Sequence, residues 1–168
     1  TDYGGKSAIS HVYDIPDTYV GSCNIREFNG LIMEDGKIKN KELNTPQAVQ
    51  RLFLEILSNS GDNVDASRRS GVDPDCIRIN MDEKTISIQN GGLHIPVEKV
   101  SLVKTNGNTA VNEFKEGDTD WTWLPAFIFG EFRSSNNYDT KHVRMGCGRN
   151  GFGAKLTNIF SKCFVVEV

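Results

Sequence analysis

The sequence lacks the features that mark secreted, zinc-binding or membrane-spanning chains. Its four cysteines, Cys23, Cys76, Cys147 and Cys163, are widely spaced without a C-x-x-C pair, and it has only three histidines. This pattern argues against a zinc knuckle or a dense disulfide scaffold and favours a reducing compartment. No run approaches the ~20 consecutive apolar residues that a membrane helix needs. We therefore expect no membrane partner.

An excess of basic charge is also lacking. The 168 residues carry 19 Lys and Arg against 22 Asp and Glu, a formal net charge of −3. This balance argues against a surface that binds nucleic acid over its whole extent, so any DNA contact must be local or lie elsewhere. The length is typical of one domain with a real core. We expect residues 1–168 to form a single domain, an excerpt of a longer chain because it starts at Thr1, with residues 1–10 as an arm.

The first half of the sequence predicts short strands followed by a long helix. Residues 11–43, punctuated by Pro16 and Gly21, indicate a turn and short strands. Thr45 and Pro46 suit the N-cap and first position of a helix that ends near Arg69. Apolar residues recur there at i, i+3, i+4, i+7 and i+8, as expected for a buried stripe. They are Val49, Leu52, Phe53, Ile56 and Leu57.

The second half predicts a mixture of hairpin strands and helices. Period-two alternation over 76–81 and 85–89 indicates a β-hairpin with one buried face. The polar stretch 104–121 reads as an exposed loop or insertion. Further elements are helices over 123–132 and 154–160 and a closing strand over 163–168. Together these elements favour the α+β class.

One helical face carries groups suited to hydrolytic chemistry. Glu55, Asn59 and Asp62 fall at i, i+4 and i+7, and Asn63 follows. A carboxylate one turn from an amide oxygen suits a general base beside a Mg²⁺ ligand, because Mg²⁺ prefers oxygen donors. The alternative is an ordinary solvated helix face.

A glycine-rich run, residues 146–155, precedes the last predicted helix. Exposed backbone N–H groups at such a position bind phosphate well. Gly146, Gly148 and Gly151 match G-x-G-x-x-G, but no clear strand precedes them, which makes a dinucleotide fold improbable. A Walker A loop is also disfavoured, since Ala154 stands where its lysine belongs. The alternative is a plain glycine loop.

Two weaker polar segments also qualify as ligand contacts. Asn90, Gly91 and Gly92 end the predicted hairpin, where glycine lets a ligand approach the backbone. Residues 134–137 offer hydroxyls and amides for a ribose or phosphate. Each segment alone is equally consistent with a turn.

Four segments, taken in chain order, resemble the nucleotide-binding domain of the GHKL ATPases. They resemble more closely the ATPase domain of eukaryotic-type DNA topoisomerase II, including versions from large DNA viruses. Residues 11–22 are similar to its entry segment H-I-L-x-R-P-D-T-Y-I-G-S, 52–63 to its helix I-F-D-E-I-L-x-N-A-x-D-N, and 124–130 to V-P-A-L-I-F-G. Residues 148–161 resemble G-R-N-G-Y-G-A-K-L-x-N-I-F-S most specifically. The resemblance implies the GHKL (Bergerat) α+β fold, with helices on a mixed, mostly antiparallel sheet.

The resemblance also implies roles for individual residues. Glu55 would polarise the water that attacks the γ-phosphate, and Asn59 would bind Mg²⁺. Asn90 would face the adenine amino group. The remaining residues implied to bind ATP are Asp62 and Asn63 on the helix, Ser135, Asn136 and Asn137 near the ribose and phosphates, and Gly148, Arg149, Asn150, Gly151, Phe152, Gly153, Ala154 and Lys155 in the lid over the triphosphate.

The chain departs from the family pattern at several places. Leu93 and His94 replace a lysine and a glycine of the family's N-N-G-K-G box, and Cys147 replaces a lid glycine. The segment 97–123 is longer than in the family on average.

As a function, the resemblance implies the ATP-binding and ATP-hydrolysing gate of a type II topoisomerase, an isomerase that passes one DNA duplex through a transient break in another. It implies relaxation and decatenation, a homodimer, double-stranded DNA as partner of the full-length protein, and a nuclear location, or a viral factory or virion for a viral protein. The transducer lysine and the DNA-cleaving tyrosine would lie outside this sequence. Alternatives are another GHKL ATPase, of the mismatch-repair or chaperone type, or a catalytically dead dimerisation module.

Overall fold

A computed structural model of the chain describes residues 8–105, 108–132 and 152–168. Within these residues it contains five helices and seven strands, and the chain divides into two compact units, Thr1–Leu54 and Glu55–Val168. All the described strand pairs are antiparallel. The α+β class is therefore confirmed, with the described strands arranged in three small sheets.

The first unit begins with two short helices, α1 (Ala8–Asp14) and α2 (Pro16–Val20). The prediction of a turn and strands over this stretch is wrong, because Pro16 starts a helix and Gly21, at φ 82°, ends it. Of the predicted arm, residues 8–10 form the first turn of α1, and residues 1–7 lie outside the described residues. The side chains of Val12 on α1 and Val20 on α2 are fully buried.

Two ten-residue strands follow, β1 (Ile25–Glu34) and β2 (Lys37–Pro46). Asp35 and Gly36 connect them with positive φ at both positions, which an Asp-Gly type I′ turn requires. The sequence predicts short strands in this region, and the observed strands are longer than that. Pro46 pairs with Ile25 as the last residue of β2 and the helix begins at Gln47, so the predicted N-cap at Thr45 is one residue too early.

The long helix α3 (Gln47–Arg69) ends where the sequence predicts. Gly71 adopts φ 75°, and the Val72 N–H donates to the Ser67 carbonyl over 2.9 Å, as in a Schellman cap. The predicted apolar stripe is only half-buried, and Val49 is 53% exposed. In the second unit the fully buried face of α3 is instead Ser60, Val64 and Ser67.

The predicted hairpin is present as β3 (Ile77–Met81) and β4 (Ile86–Asn90). Its predicted buried face is wrong, since Ile79, Met81 and Ile86 share one face and are 44%, 62% and 46% exposed.

The stretch predicted as an exposed loop instead contributes to a three-stranded sheet. Strands β5 (Lys99–Thr105), β6 (Asn108–Glu113) and β7 (Trp121–Trp123) pair in the order β6-β5-β7. The loop prediction for 104–121 is therefore wrong where β5, β6 and β7 form, while residues 114–120 belong to neither a helix nor a strand. Strand β6 consists mostly of polar residues, and even its buried residue, Thr109, is polar. The apolar alternation that predicts a strand is therefore missing from its sequence.

Helices α4 (Leu124–Gly130) and α5 (Gly153–Phe160) confirm the two later helix predictions, with Trp123 assigned to β7. The two helices are in contact, Phe127 and Leu156 are both buried, and the Asn158 side-chain amide donates to the Phe129 carbonyl over 3.1 Å. The predicted strand 163–168 is wrong, because no described strand pairs with it. Within the described ranges, no helix combines the length and hydropathy needed to cross a bilayer.

Candidate functional site

The polar face predicted on α3 exists. The helix is continuous from residue 47 to residue 69, so Glu55, Asn59 and Asp62 lie along one side of it. Glu55 and Asp62 are half-buried and Asn59 is exposed. This face thus presents carboxylate and amide oxygens to the space beside the helix.

The start of α5 lies directly against Glu55. A Cβ built on Gly153 would lie 2.8 Å from both the Cβ and the Cδ of Glu55, and closer still to its Oε2. Only glycine allows this approach, because real Cβ atoms do not come within 3.0 Å of such atoms. The fold therefore brings the end of the glycine-rich run to the carboxylate of α3.

Lys155, two residues further on, is a buried lysine with 4% exposure. Its Nζ lies 5.8 Å from the ring centroid of Phe127 on α4. Burial lowers the pKa of Lys155, and the charge of Glu131 opposes that lowering. The last side chain of the glycine-rich run is thus a lysine in a largely desolvated position.

A second cluster ties α3 to the end of β4. The Asn90 amide nitrogen donates to Asn63 Oδ1 over 2.9 Å and to the Gly91 carbonyl over 2.9 Å. The Asn63 amide nitrogen in turn donates to the Leu93 carbonyl over 3.0 Å. The two predicted residues Asn63 and Asn90 are therefore in direct contact.

Ser67, a residue that sequence reasoning missed, completes this cluster. It is fully buried, its hydroxyl donates to the Asn63 carbonyl over 2.7 Å, and it accepts the Leu93 N–H over 2.8 Å. Gly92, at φ 111°, packs so closely that an added Cβ would lie 2.9 Å from the Ser67 Cβ. The available signal was a serine spaced i+4 from Asn63 on the buried side of the helix.

We expect Ser67→Ala to lower the free energy of unfolding by roughly 0.5–1.5 kcal/mol, because it removes the buried hydroxyl that accepts the Leu93 N–H. Urea unfolding of the two proteins measures the difference. Ser58→Ala is the matched control in the same helix, since Ser58 is only half-buried. Equal losses in both variants would show that the cluster contributes nothing specific.

The remaining predicted contacts cannot be located. Ser135, Asn136, Asn137, Gly148, Arg149, Asn150 and Gly151 lie outside the described residues, as does Cys147. Phe152 is half-buried, and its ring lies 5.5 Å from that of Phe132 between centroids, with the two planes tilted by 44°. Ala154 is buried.

The described residues fit a nucleotide-bound Mg²⁺ better than a protein-enclosed metal. Within them, no group of three or more His, Cys, Asp or Glu side chains is placed to hold a metal ion. The exposed Asn59 offers one amide oxygen. Mg²⁺ commonly takes one or two protein ligands and completes its shell with phosphate oxygens and water. The donor set is consistent with that arrangement.

Known proteins resemble this chain in sequence and in fold. DNA topoisomerase 2 of Plasmodium falciparum is 37% identical over 172 residues, covering 98% of this chain and 11% of its own length. The ATPase region of Saccharomyces cerevisiae topoisomerase II matches with a TM-score of 0.73 and 30% identity, over 94% of this chain and 37% of the other. The ATPase and transducer domains of the Balamuthia mandrillaris enzyme match with a TM-score of 0.74 and 33% identity, over 95% and 36%.

No protein-family model matches the chain. The chain spans about a tenth of the length of the curated relatives that it matches. Its fold is nonetheless that of an ATPase region, which is a nucleotide-binding domain. The chain is a homologue of the ATPase region of eukaryotic DNA topoisomerase II.

Proposed function

We propose that the chain is the ATP-binding and ATP-hydrolysing part of a type II DNA topoisomerase, whose whole protein relaxes and decatenates DNA. The observation that carries this proposal is the contact between Glu55 on α3 and Gly153 at the start of α5. It joins the two sequence segments that the family resemblance links to hydrolysis and to triphosphate binding. The homology to topoisomerase II ATPase regions supports the same reading.

In this proposal Glu55 is the general base. A half-buried carboxylate beside the phosphate-binding loop is suited to accept a proton from the attacking water. Asn59, one turn along the same face, would hold Mg²⁺ together with the nucleotide phosphates. When bound, Mg²⁺ neutralises charge that develops on the phosphate oxygens.

The phosphates would bind at the start of α5. Lys155 supplies a buried positive charge there, and the backbone of Phe152, Gly153 and Ala154 borders it. The proposed lid also includes residues 148–151, and residues 135–137 are proposed to lie near the ribose and phosphates.

Asn90 is proposed to face the adenine. Its amide nitrogen is engaged by Asn63 and the Gly91 carbonyl, which leaves its carbonyl oxygen to accept a hydrogen bond from the adenine amino group. Asn63 would then fix the orientation of Asn90, and Asp62 would border the same pocket from α3. The base would thus be recognised by an oriented amide.

The properties of the whole protein are proposals of the same kind. We propose a homodimer that closes on ATP binding and has double-stranded DNA as its partner. We also propose that residues 1–168 act as one functional domain, although they divide into two compact units, and that the protein is nuclear. The eukaryotic relatives support the nuclear alternative over the viral ones. The net charge of −3 is consistent with DNA contacts that lie elsewhere in the protein.

ATP-dependent decatenation of interlinked DNA circles by the full-length protein tests this proposal. We expect separation of the circles with ATP and none without it. ATP hydrolysis without decatenation would move the assignment to another GHKL ATPase. Neither hydrolysis nor decatenation would indicate a catalytically dead dimerisation module.

A further inference from the structure

Both tryptophans of the sequence lie on one face of the three-stranded sheet β6-β5-β7. Trp121 and Trp123 are two residues apart on β7, so they share a face, and they are 39% and 45% exposed. Their ring centroids are 5.9 Å apart, and the Trp121 ring lies 6.0 Å from that of Phe114, each pair in edge-to-face geometry. These three rings form an aromatic cluster that presents a large apolar area to solvent. None of them belongs to the proposed nucleotide site.

The aromatic cluster holds an ammonium group of the chain itself. Lys99 on β5 pairs directly with Trp123 on β7. Its Nζ lies 4.3 Å from the ring centroid of Trp121, 5.2 Å from that of Phe114 and 5.9 Å from that of Trp123. Among the described residues, no carboxylate forms an ion pair with Lys99. The negative ring faces therefore supply the attraction, and the cluster is suited to a cationic side chain.

A groove with mostly negative charge borders the aromatic cluster. It is lined by the middle of β5, the end of β6 and the connection that leads to β7, and two of its lining residues flank Phe114 in sequence. Its charged lining residues are three carboxylates and one lysine, namely Glu113, Asp118, Asp120 and Lys115. Glu113 and Asp120 are exposed and form no ion pair within the described ranges. Their charge is thus available to attract a cation.

Hydrogen bonds hold the connection between β6 and β7 against β5. The Asp118 carboxylate accepts hydrogen bonds from the Ser101 hydroxyl and, over 2.8 Å, from the Lys115 N–H. These two bonds lower the pKa of Asp118, so the carboxylate stays charged at neutral pH. The Leu102 N–H donates to the Asp120 carbonyl over 2.8 Å. The surface is therefore formed in advance, and a partner would not have to order it.

We propose that the aromatic cluster and the adjoining groove bind a basic peptide segment of another protein. An arginine or lysine of that segment would pack on the rings in place of Lys99, and further basic side chains would lie beside Glu113 and Asp120. Tryptophan is enriched at the centres of protein interfaces, because it supplies a large apolar area with a π face. Single-stranded nucleic acid also stacks on tryptophan, but the carboxylates of the groove would repel its phosphates. The inference does not depend on the proposed function.

Fluorescence anisotropy tests the proposal, with a short labelled peptide of alternating arginine and glycine titrated with the full-length protein. We expect Trp121→Leu and Trp123→Leu each to weaken binding roughly 3- to 10-fold, because leucine is apolar but has no π face. Tyr13→Leu is the matched control, since Tyr13 is an exposed aromatic residue on α1 and should not affect the peptide. Unchanged binding of the ATP analogue AMPPNP in the tryptophan variants would show that they fold.

Replacing Lys99 gives an effect of the opposite sign, which misfolding cannot imitate. Lys99→Met keeps an unbranched side chain on the rings and removes the competing charge, so the peptide should bind roughly 3- to 10-fold more tightly. Lys104→Met is the matched control, because Lys104 is an exposed lysine on the opposite face of β5 and should change the affinity less than about twofold. Asp120→Asn should weaken binding, whereas Glu83→Gln, at an exposed position between β3 and β4, should not.

Three results would overturn the proposal: no binding of the basic peptide, equal binding in the tryptophan variants, or unchanged binding in Lys99→Met. A labelled oligothymidylate is the second probe. If Trp121→Leu and Lys99→Met both weaken its binding, the surface is a stacking site for single-stranded nucleic acid, and the proposed basic partner is wrong. Hydrolysis and decatenation are measured separately, so failure here leaves the proposed function standing.

Discussion

Replacing Glu55 by glutamine is expected to lower the rate of ATP hydrolysis by roughly 10²- to 10⁴-fold, the range typical of a lost general base. The amide keeps the shape of the side chain and its packing against Gly153. It cannot accept the proton of the attacking water. Nucleotide binding should therefore remain close to that of the unaltered protein, while decatenation loses multiple turnover.

Steady-state phosphate release and AMPPNP binding on the full-length protein measure the two effects separately. Asp65→Asn is the matched control, because Asp65 is an exposed carboxylate on the same helix. We expect it to leave both quantities unchanged. Hydrolysis at the normal rate by Glu55→Gln would remove Glu55 as the base, and loss of binding would indicate a structural role instead.

The second large effect is expected from Gly153→Ala. The added methyl group would overlap the Glu55 side chain at 2.8 Å from its Cβ and Cδ, so either the start of α5 or the carboxylate must move. We expect a loss of about 1–3 kcal/mol in the free energy of unfolding, as for other overpacked sites. Because either movement would change the position of the carboxylate relative to the proposed phosphate-binding loop, hydrolysis should fall by roughly 10- to 100-fold.

Gly130→Ala provides the comparison for this variant. Gly130 ends α4, and an added Cβ there would have no atom within 4 Å. Denaturant unfolding and phosphate release should change little in that protein. If Gly153→Ala hydrolyses ATP as fast as Gly130→Ala does, the contact between Glu55 and the start of α5 has no functional importance.

The predictions that held depend on local chemistry. The end of α3 at Arg69 followed from Ser70 and Gly71, and the β3–β4 hairpin followed from strict alternation of apolar residues. Two of the predictions that failed concern partners distant in sequence. Residues 163–168 are rich in valine and other apolar residues typical of a strand, but a strand needs a neighbour to satisfy its backbone groups, and no described strand pairs with them.

The loop prediction at the sheet formed by β5, β6 and β7 failed for the opposite reason. Its strand β6 is rich in polar residues, so its pattern resembles a loop. Pairing with β5 satisfies the backbone groups, and the buried Thr109 finds an acceptor in Glu131, which is 22 residues away. Neither partner is visible from the local sequence.

The same division applies to the candidate site. The sequence by itself determined the polar face with Glu55 and Asn59, since helical spacing alone puts residues i and i+4 on one side. It also determined the glycine-rich approach to α5. Only the tertiary structure decided that Gly153 meets Glu55, that Ser67 fixes the loop after β4, and that Lys155 is buried close to the ring of Phe127. Contacts between distant segments, and the desolvation that shifts a pKa, arise only when the chain packs.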